Sequence, residues 1–305
     1  MEWAAQAVVG EHLARRLITG QFPDLTGCEL ALLGAGWDNT VWLADGRWVF
    51  RFPRRAVAVH SVERQLALLP LLAPLLPLPT TTPAYAGRPA EGFPWPWLGA
   101  PFVPGREAAA GAIDDAARVR GAAPLARFLR ALHAIDPGRL GIDGKLLPVD
   151  ANARTDMADR VPIARDWLER LAGLTGWRPP PAITELYAAA GNLPAPRMTS
   201  IVHGDLHLRH LLVDDQGVPC AVIDWDDIGL SDPAIDLPLM WAHVPPAGRA
   251  AFLDDYGGVR ADQLIRSRLL AVALCGALAV YGAEESLTTL TREATAGIER
   301  ALRNE

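Results

Sequence analysis

The sequence predicts an α+β protein of two lobes, a small antiparallel-sheet lobe first and a larger, mainly helical lobe after it. Three observations carry this expectation. Residues 30–52 alternate short β-rich runs with tight turns, residues 70–105 hold too many prolines and aromatic side chains to be mostly helix, and from Pro233 onward the chain reads as helix. At 305 residues the chain is also long for a single core. The expected boundaries are 1–99 for the first lobe, 100–105 for the connection and 106–305 for the second.

The elements follow in order. Residues 3–19 read as a helix. Leu30–Leu33, Thr40–Leu43 and Trp48–Phe52 read as three strands, joined by turns at Gly34–Gly36 and Asp45-Gly46. Asp-Gly between β-rich runs favours a hairpin. His60–Leu69 reads as a helix that the following prolines end. Pro70–Gly105, containing Pro94-Trp95-Pro96-Trp97, reads as an edge strand and the connection between lobes. Beyond it, Ala116–Asp136, Val161–Leu174 and Ile183–Ala190 are expected helices, and Ile201-Val202, Leu211–Val213 and Cys220–Ile223 short strands.

Composition narrows the function classes. Half the residues are hydrophobic and ten are tryptophan, enough for a large core and against disorder. The net charge of −6 arises from 29 basic and 35 acidic residues mixed along the chain, which disfavours nucleic acid as a partner and suits a cationic small molecule. Cys28, Cys220 and Cys275 form no Cys-x-x-Cys pair, so neither a disulfide framework nor a thiolate zinc site is indicated. The first residues lack the basic start and apolar run of a signal peptide. The most apolar stretches, Leu66–Leu78 with its three prolines and Leu269–Tyr281, are too short to span a bilayer and read as core. A cytoplasmic protein with no membrane partner is expected.

The chemistry concentrates in residues 201–237. Asp205 of His203-Gly204-Asp205 falls in a loop, His210 at the entry to a strand, and Asp224 at the end of the paired strand. Phosphoryl transfer calls for a carboxylate to orient and deprotonate a hydroxyl, together with ligands for ions that neutralise a triphosphate. Asp205 suits the first task, Asp224 and His210 the second. Either aspartate alone is more simply a turn or strand-end residue. Their ordered pairing is what points to catalysis.

These two stretches resemble the catalytic and metal-binding loops of the aminoglycoside and macrolide phosphotransferase (APH) family, relatives of the protein kinases. The resemblance runs from the glycine turn near residue 34 to the helices after Asp236, and implies a bilobal, protein-kinase-like fold. It implies Asp205 as catalytic base, Asp224 and His210 as ligands of Mg2+ (or Mn2+), Asp236 as a buried brace of the catalytic loop, and His203 as its structural neighbour. Most of the family have Asn where His210 stands, although macrolide phosphotransferases are similar in having His. Arg51 stands where kinases carry a nucleotide lysine, with Glu63 as its expected helix partner. Lys145, the only lysine, lies far outside that strand. Arginine keeps the charge and forks to phosphate. Gly34, Gly36, Asp38, Asn39 and Thr40 resemble the nucleotide loop, and Pro101 and Val103 the segment that receives a purine through backbone groups. ATP or GTP is the implied donor and a small-molecule alcohol the acceptor. Among the acids, Asp226, Asp227 and Asp232 are candidates for binding a cationic substrate, followed by Asp254, Asp255, Glu284 and Glu285.

Other classes stay open at this point. His203, His207 and His210 fall at i, i+4 and i+7, a spacing that would gather zinc were the segment helical, but Gly204 and the missing His-Glu-x-x-His glutamate weigh against a metallohydrolase. A metabolite kinase of the same fold and a non-catalytic nucleotide-binding protein are further alternatives. No Gly-x-x-x-x-Gly-Lys occurs, which excludes a P-loop kinase.

Overall fold

The computed structural model describes residues 5–36, 38–150 and 153–303. It divides into two compact units. The first comprises Met1–Pro74, Thr80–Val103 and Asp224–Asp227, and the second Leu75–Pro79, Pro104–Ile223 and Ile228–Glu305. The boundary thus falls after Val103, and four residues of the Asp224 loop belong with the N-terminal sheet rather than with residues 106–305.

In the first unit, helix α1 is Glu11–Gln21, shorter at its start than the 3–19 reading, of which residues 3 and 4 lie outside the described residues. Strands β1 (Leu30–Ala35), β2 (Asn39–Ala44) and β3 (Trp48–Pro53), helix α2 (Val59–Leu72), and strands β4 (Tyr85–Gly87) and β5 (Trp97–Pro101) follow. The strands form one antiparallel sheet ordered β1-β2-β3-β5-β4. Alternation along β3 decides its two faces: Phe50 and Phe52 are buried against Trp97, Leu17 and Ile18, and Arg51 points the other way. The Phe52 and Trp97 rings sit 4.8 Å apart, and burying each such side chain contributes about 1.5–3 kcal/mol. Gly99 on β5 permits this packing, because a Cβ there would stand 2.2 Å from the Phe50 ring. Pro70 does not end α2. The helix runs two residues further because Leu69 and Leu72 are buried, and that outweighs one missing N–H donor.

The second unit begins with strand β6 (Arg106–Glu107) and continues with helices α3 (Asp115–His133), α4 (Met157–Thr175) and α5 (Ala182–Gly191), and strands β7 (Ser200–Val202), β8 (Leu211–Val213), β9 (Pro219–Val222) and β10 (Gly229–Ser231). Helices α6 (Pro238–Ala242), α7 (Pro246–Tyr256), α8 (Ala261–Glu284) and α9 (Thr288–Leu302) complete it. Asp114 and Asp156 cap α3 and α4, accepting from the N–H groups of Ala117 (2.6 Å) and Ala158 (2.9 Å), each worth about 1 kcal/mol. Strands β6, β8 and β9 form one small antiparallel sheet, β7 and β10 another. The short β6 and β10 carry no pattern that the sequence reading picked out.

Helix α8 packs against α9, α4 and α6 and is longer than its apolar run. Its polar first turns are buried too, because Arg266 donates to the Pro194 carbonyl at 2.7 Å and Ser267 accepts from the Trp241 indole at 2.8 Å. Two stretches, Ala56–Leu75 and Ala261–Glu284, are therefore long and apolar enough to cross a membrane by length and composition alone. In α8 most of the apolar surface is taken up by neighbouring helices.

Candidate active site

In the second unit, the loop after β7 presents His203, Gly204 and Asp205. Gly204 adopts φ +87°, a left-handed turn that only glycine takes without strain. Asp236, fully buried at the start of the C-terminal helices, accepts the backbone N–H groups of His203 (2.7 Å) and Gly204 (2.9 Å) and bonds His133 Nε2 at 3.1 Å. Burial works to raise its pKa, but the His133 hydrogen bond and charge, the nearby His203 and the Gly204 N–H outweigh it and hold the carboxylate below its ordinary value. His203 is buried as well. Its Nδ1 accepts the Asp205 N–H at 3.3 Å while Nε2 bonds the Ile223 carbonyl at 2.9 Å, which ties the loop to the end of β9.

Asp205 is half-buried. Its Oδ1 accepts from Arg154 Nη1 at 2.9 Å, and the same nitrogen donates to the Gly204 carbonyl at 2.7 Å. Oδ2 lies 3.7 Å from His207 Nε2 and 3.8 Å from His210 Nδ1. Asp205, His207 and His210 bring three potential ligand atoms within 4.8 Å of one another. His210 Nδ1 donates to the Asp205 backbone carbonyl at 2.8 Å, which orients the ring. The helix that an i, i+4, i+7 zinc site requires is absent: residues 203–210 are loop and turn.

In the first unit the geometry departs from expectation. Arg51 Nη2 donates to Asp224 Oδ1 (3.0 Å) and Asp226 Oδ2 (2.8 Å), and no Arg51–Glu63 pair forms. Glu63 is exposed and meets His60 Nδ1 at 3.2 Å. The reason is helical phase. Residues two apart on α2 face opposite ways, and Ser61 and Gln65 hold the buried face. Both reach Asp226 Oδ1, Ser61 Oγ at 2.8 Å and Gln65 Nε2 at 2.6 Å, while Asn39 Nδ2 donates to Oδ2 at 3.2 Å. Burial, then the negative charge of Asp224, push the Asp226 carboxyl above its ordinary value despite Arg51. The two carboxylates in turn raise Arg51 further, against its own burial, so it stays charged. Asp224 itself takes φ +65°, rare for a residue with a side chain and typical of functional loops.

At the end of β1 the Gly36 N–H donates to the Asn39 carbonyl at 3.0 Å, and its own carbonyl accepts from Arg54. Gly34 pairs with Val41, Thr40 is buried, and Asp38 is bound by Arg55, with Nε at 3.0 Å. Trp37 lies outside the described residues. Pro101 closes β5 opposite Trp48, and Val103 ends the segment assigned to this unit.

Residues 29–268 match the phosphotransferase enzyme family (APH). The chain belongs to that family. Among solved structures it is similar to the GDP complex of wild-type aminoglycoside 2′-phosphotransferase-IIIa, at 20% identity and TM-score 0.65, covering 96% of this chain and 99% of that one. It is likewise similar to the apoenzyme of macrolide 2′-phosphotransferase MphH from Brachybacterium faecium, at 21% identity and TM-score 0.55, covering 95% and 99%. At these identities the likeness is one of fold, the protein-kinase-like α+β architecture. A shorter stretch of 44 residues is 41% identical to the uncharacterized protein YcbJ of Bacillus subtilis (strain 168), and spans 14% of each chain.

Within this phosphotransferase chain the expected substrate acids need correction. Asp232 exposes no surface: it caps the following turn through the Ala234 N–H (3.0 Å) and accepts from Arg260 (3.1 Å) and Gln263 (2.9 Å), so it is structural. Asp226 is enclosed by donors of its own unit, and Asp227 is half-buried. The donors suit magnesium unevenly. Asp224 offers hard carboxylate oxygen, with the buried, unpartnered oxygens of Asn39 and Gln65 in the same unit, whereas His210 offers imidazole, which magnesium takes less readily. Arg154, His207, Ser61 and Gln65 were absent from the expected site. Of these only His207 carried a signal, its place in the histidine spacing.

Proposed function

We propose that the chain moves the γ-phosphoryl of ATP or GTP to a hydroxyl of a small antibiotic-like molecule, of aminoglycoside or macrolide type, with Asp205 as the catalytic base. The observation that carries this reading is the position of Asp205 on a loop pinned by Asp236, with Oδ1 fixed by Arg154 and Oδ2 turned toward His207 and His210. Phosphoryl transfer asks little covalent chemistry of the protein and much positioning and charge. As the hydroxyl oxygen bonds to phosphorus, its proton passes to Asp205 and the bond to the nucleoside diphosphate breaks. Arg51 supplies a permanent positive charge for the triphosphate. The Gly34–Gly36 turn, with Asp38, Asn39 and Thr40, is the proposed nucleotide loop, and the Pro101 carbonyl and Val103 N–H receive the base. A magnesium or manganese ion held by Asp224 and His210 would neutralise phosphate charge. The cytoplasm is the proposed compartment, in keeping with three unpaired cysteines.

Asp205→Asn removes proton acceptance and little volume, so turnover is expected to fall by about 10³-fold or more with nucleotide affinity kept. A nucleotide-consumption screen with ATP and GTP against aminoglycosides, macrolides and metabolite alcohols identifies the acceptor. Turnover retained in the Asn variant would remove Asp205 from its role.

A further inference from the structure

Helices α3 and α7 lie side by side and end together, at His133 and Tyr256. Near the start of α7, Gly248 permits the approach, since a Cβ there would stand 3.3 Å from the Val119 Cα. Near its end, Arg127 Nη1 donates to the Asp255 carboxylate at 3.3 Å and Arg130 Nη1 to the Asp255 carbonyl at 3.5 Å. This packing brings the Tyr256 hydroxyl to His133 Nδ1 at 2.8 Å, with the two rings at 78° to each other. His133 Nε2 stands 3.1 Å from Asp236 Oδ2, and Asp236 accepts the His203 and Gly204 N–H groups at 2.7 and 2.9 Å. A series of hydrogen bonds therefore runs from the end of α7, through the end of α3, to the backbone that carries Asp205.

We propose that Tyr256 is a positioning residue for phosphoryl transfer: its hydroxyl orients His133, and through that ring it holds Asp236 on the backbone of the catalytic loop. The inference rests on Asp205 being the base. The direction of the chain follows from its two ends. Asp236 is held as the carboxylate, which can only accept, so the hydrogen between it and His133 belongs to Nε2. At the other end the phenol keeps its proton, because burial, then the negative charges of Asp236 and Asp232, push its pKa up against the opposing charge of Arg260. A protonated phenol donates to Nδ1 of the neutral imidazole, and a neutral ring that accepts at Nδ1 carries its hydrogen on Nε2. The opposite tautomer would turn a lone pair toward Asp236 Oδ2, at a place where the His133 side chain is 5% exposed and that of Asp236 not at all. Each bond in such a chain also polarises the next.

Tyr256→Phe removes one oxygen and keeps the ring that stacks on Phe252 at 14°. Amide exchange followed by two-dimensional NMR reads the loop directly. In this variant the His203 and Gly204 N–H groups are expected to exchange about tenfold faster than in the wild type, and amides of α8 to change by less than about twofold. With the acceptor that the nucleotide-consumption screen finds, kcat is expected to fall about tenfold at unchanged KM for nucleotide and acceptor. His133→Leu is expected to lower kcat by about 100-fold, and adding Tyr256→Phe to it to change kcat by less than about twofold, because the hydroxyl acts only through the ring. His133→Gln, whose amide N–H can meet Asp236, is expected to recover most of that loss. Should His133→Leu fail to fold, exchange and kcat of Tyr256→Phe decide alone. Wild-type exchange at His203 and Gly204 in Tyr256→Phe, a lower melting temperature with unchanged kcat, or a loss that Tyr256→Phe adds in full to His133→Leu overturns the proposal. A wild type that consumes no nucleotide with any acceptor removes the reaction and with it this role, while exchange, measured without turnover, still shows whether Tyr256 holds the loop.

Discussion

Asp236 and Asp226 are both enclosed by polar partners, and they are held in opposite ways. Asp236 receives two backbone N–H groups and a histidine, and its carboxylate is stabilised as the ion. Asp226 receives only side chains, from Arg51, Ser61, Gln65 and Asn39, and burial together with Asp224 raises its pKa. Backbone donors cannot rotate away; side-chain donors can. The first arrangement therefore fixes the loop carrying Asp205 permanently. The second is held by side chains alone, with buried oxygens of Asn39 and Gln65 still unpartnered.

The largest expected effect tests the rigid side of this contrast. Asp236→Asn turns an NH2 group toward two backbone N–H donors and takes the carboxylate away from His133 Nε2, at a cost of about 3 kcal/mol. Misplacement of Asp205 lowers turnover by about 100-fold. Urea unfolding and steady-state rates measure both. Asp226→Asn, which keeps its volume and loses a charge held at a raised pKa, is expected to cost about 1 kcal/mol. Equal costs at the two positions would break the contrast.

Next in size is Arg51. Arg51→Met strands two carboxylates, costs about 2 kcal/mol and weakens nucleotide binding about tenfold. Glu63→Ala, at an exposed position, is expected to change stability by less than about 0.5 kcal/mol and nucleotide affinity little. Should Glu63→Ala weaken nucleotide binding as much as Arg51→Met, then Glu63 replaces Asp224 and Asp226 as the arginine's partner in the bound state.

The same contrast explains what the sequence disclosed. The sheet, the helical second unit and the loop of Asp205 were legible because strand alternation, turns and a three-residue motif are short-range signals. Asp236 was legible only through family resemblance. Glu63 has the right charge and spacing but the wrong helical phase: Ser61, Val62, Gln65, Leu68, Leu69 and Leu72 form the buried face, and Glu63 lies off it. Arg154 was invisible for another reason. It sits in a segment without periodicity, and only the bonds of Asp150, Leu230 and Arg266 bring it to Asp205. Asp232 looked like a substrate acid because nothing local announces that Arg260 and Gln263 enclose it.

The last effect, about 1.4 kcal/mol for each whole unit of pKa displacement, lies in the pH dependence and separates the two aspartates by sign. Asp236 is depressed in the folded state, so its contribution is complete above the unfolded value of about 3.9 and is lost as pH falls through the folded value. Asp226 is raised, so the folded protein holds its proton more tightly. Its ionisation costs stability as pH rises through the window that starts near 3.9, and the cost is relieved on acidification. His243 adds a background of its own. Burial, Arg118 and Arg300 hold it well below its ordinary value, so it contributes stability above about pH 6.5 that is lost as pH falls. That background is common to all variants and cancels in differences. Unfolding free energies of wild type, Asp236→Asn and Asp226→Asn from pH 3 to 8 are expected to give difference curves that diverge on acidification. The advantage of the wild type over Asp236→Asn shrinks below about pH 4, and its advantage over Asp226→Asn grows as Asp226 takes up its proton. Parallel curves would mean that backbone donors and side-chain donors hold a carboxylate alike, and the contrast between Asp236 and Asp226 would fall.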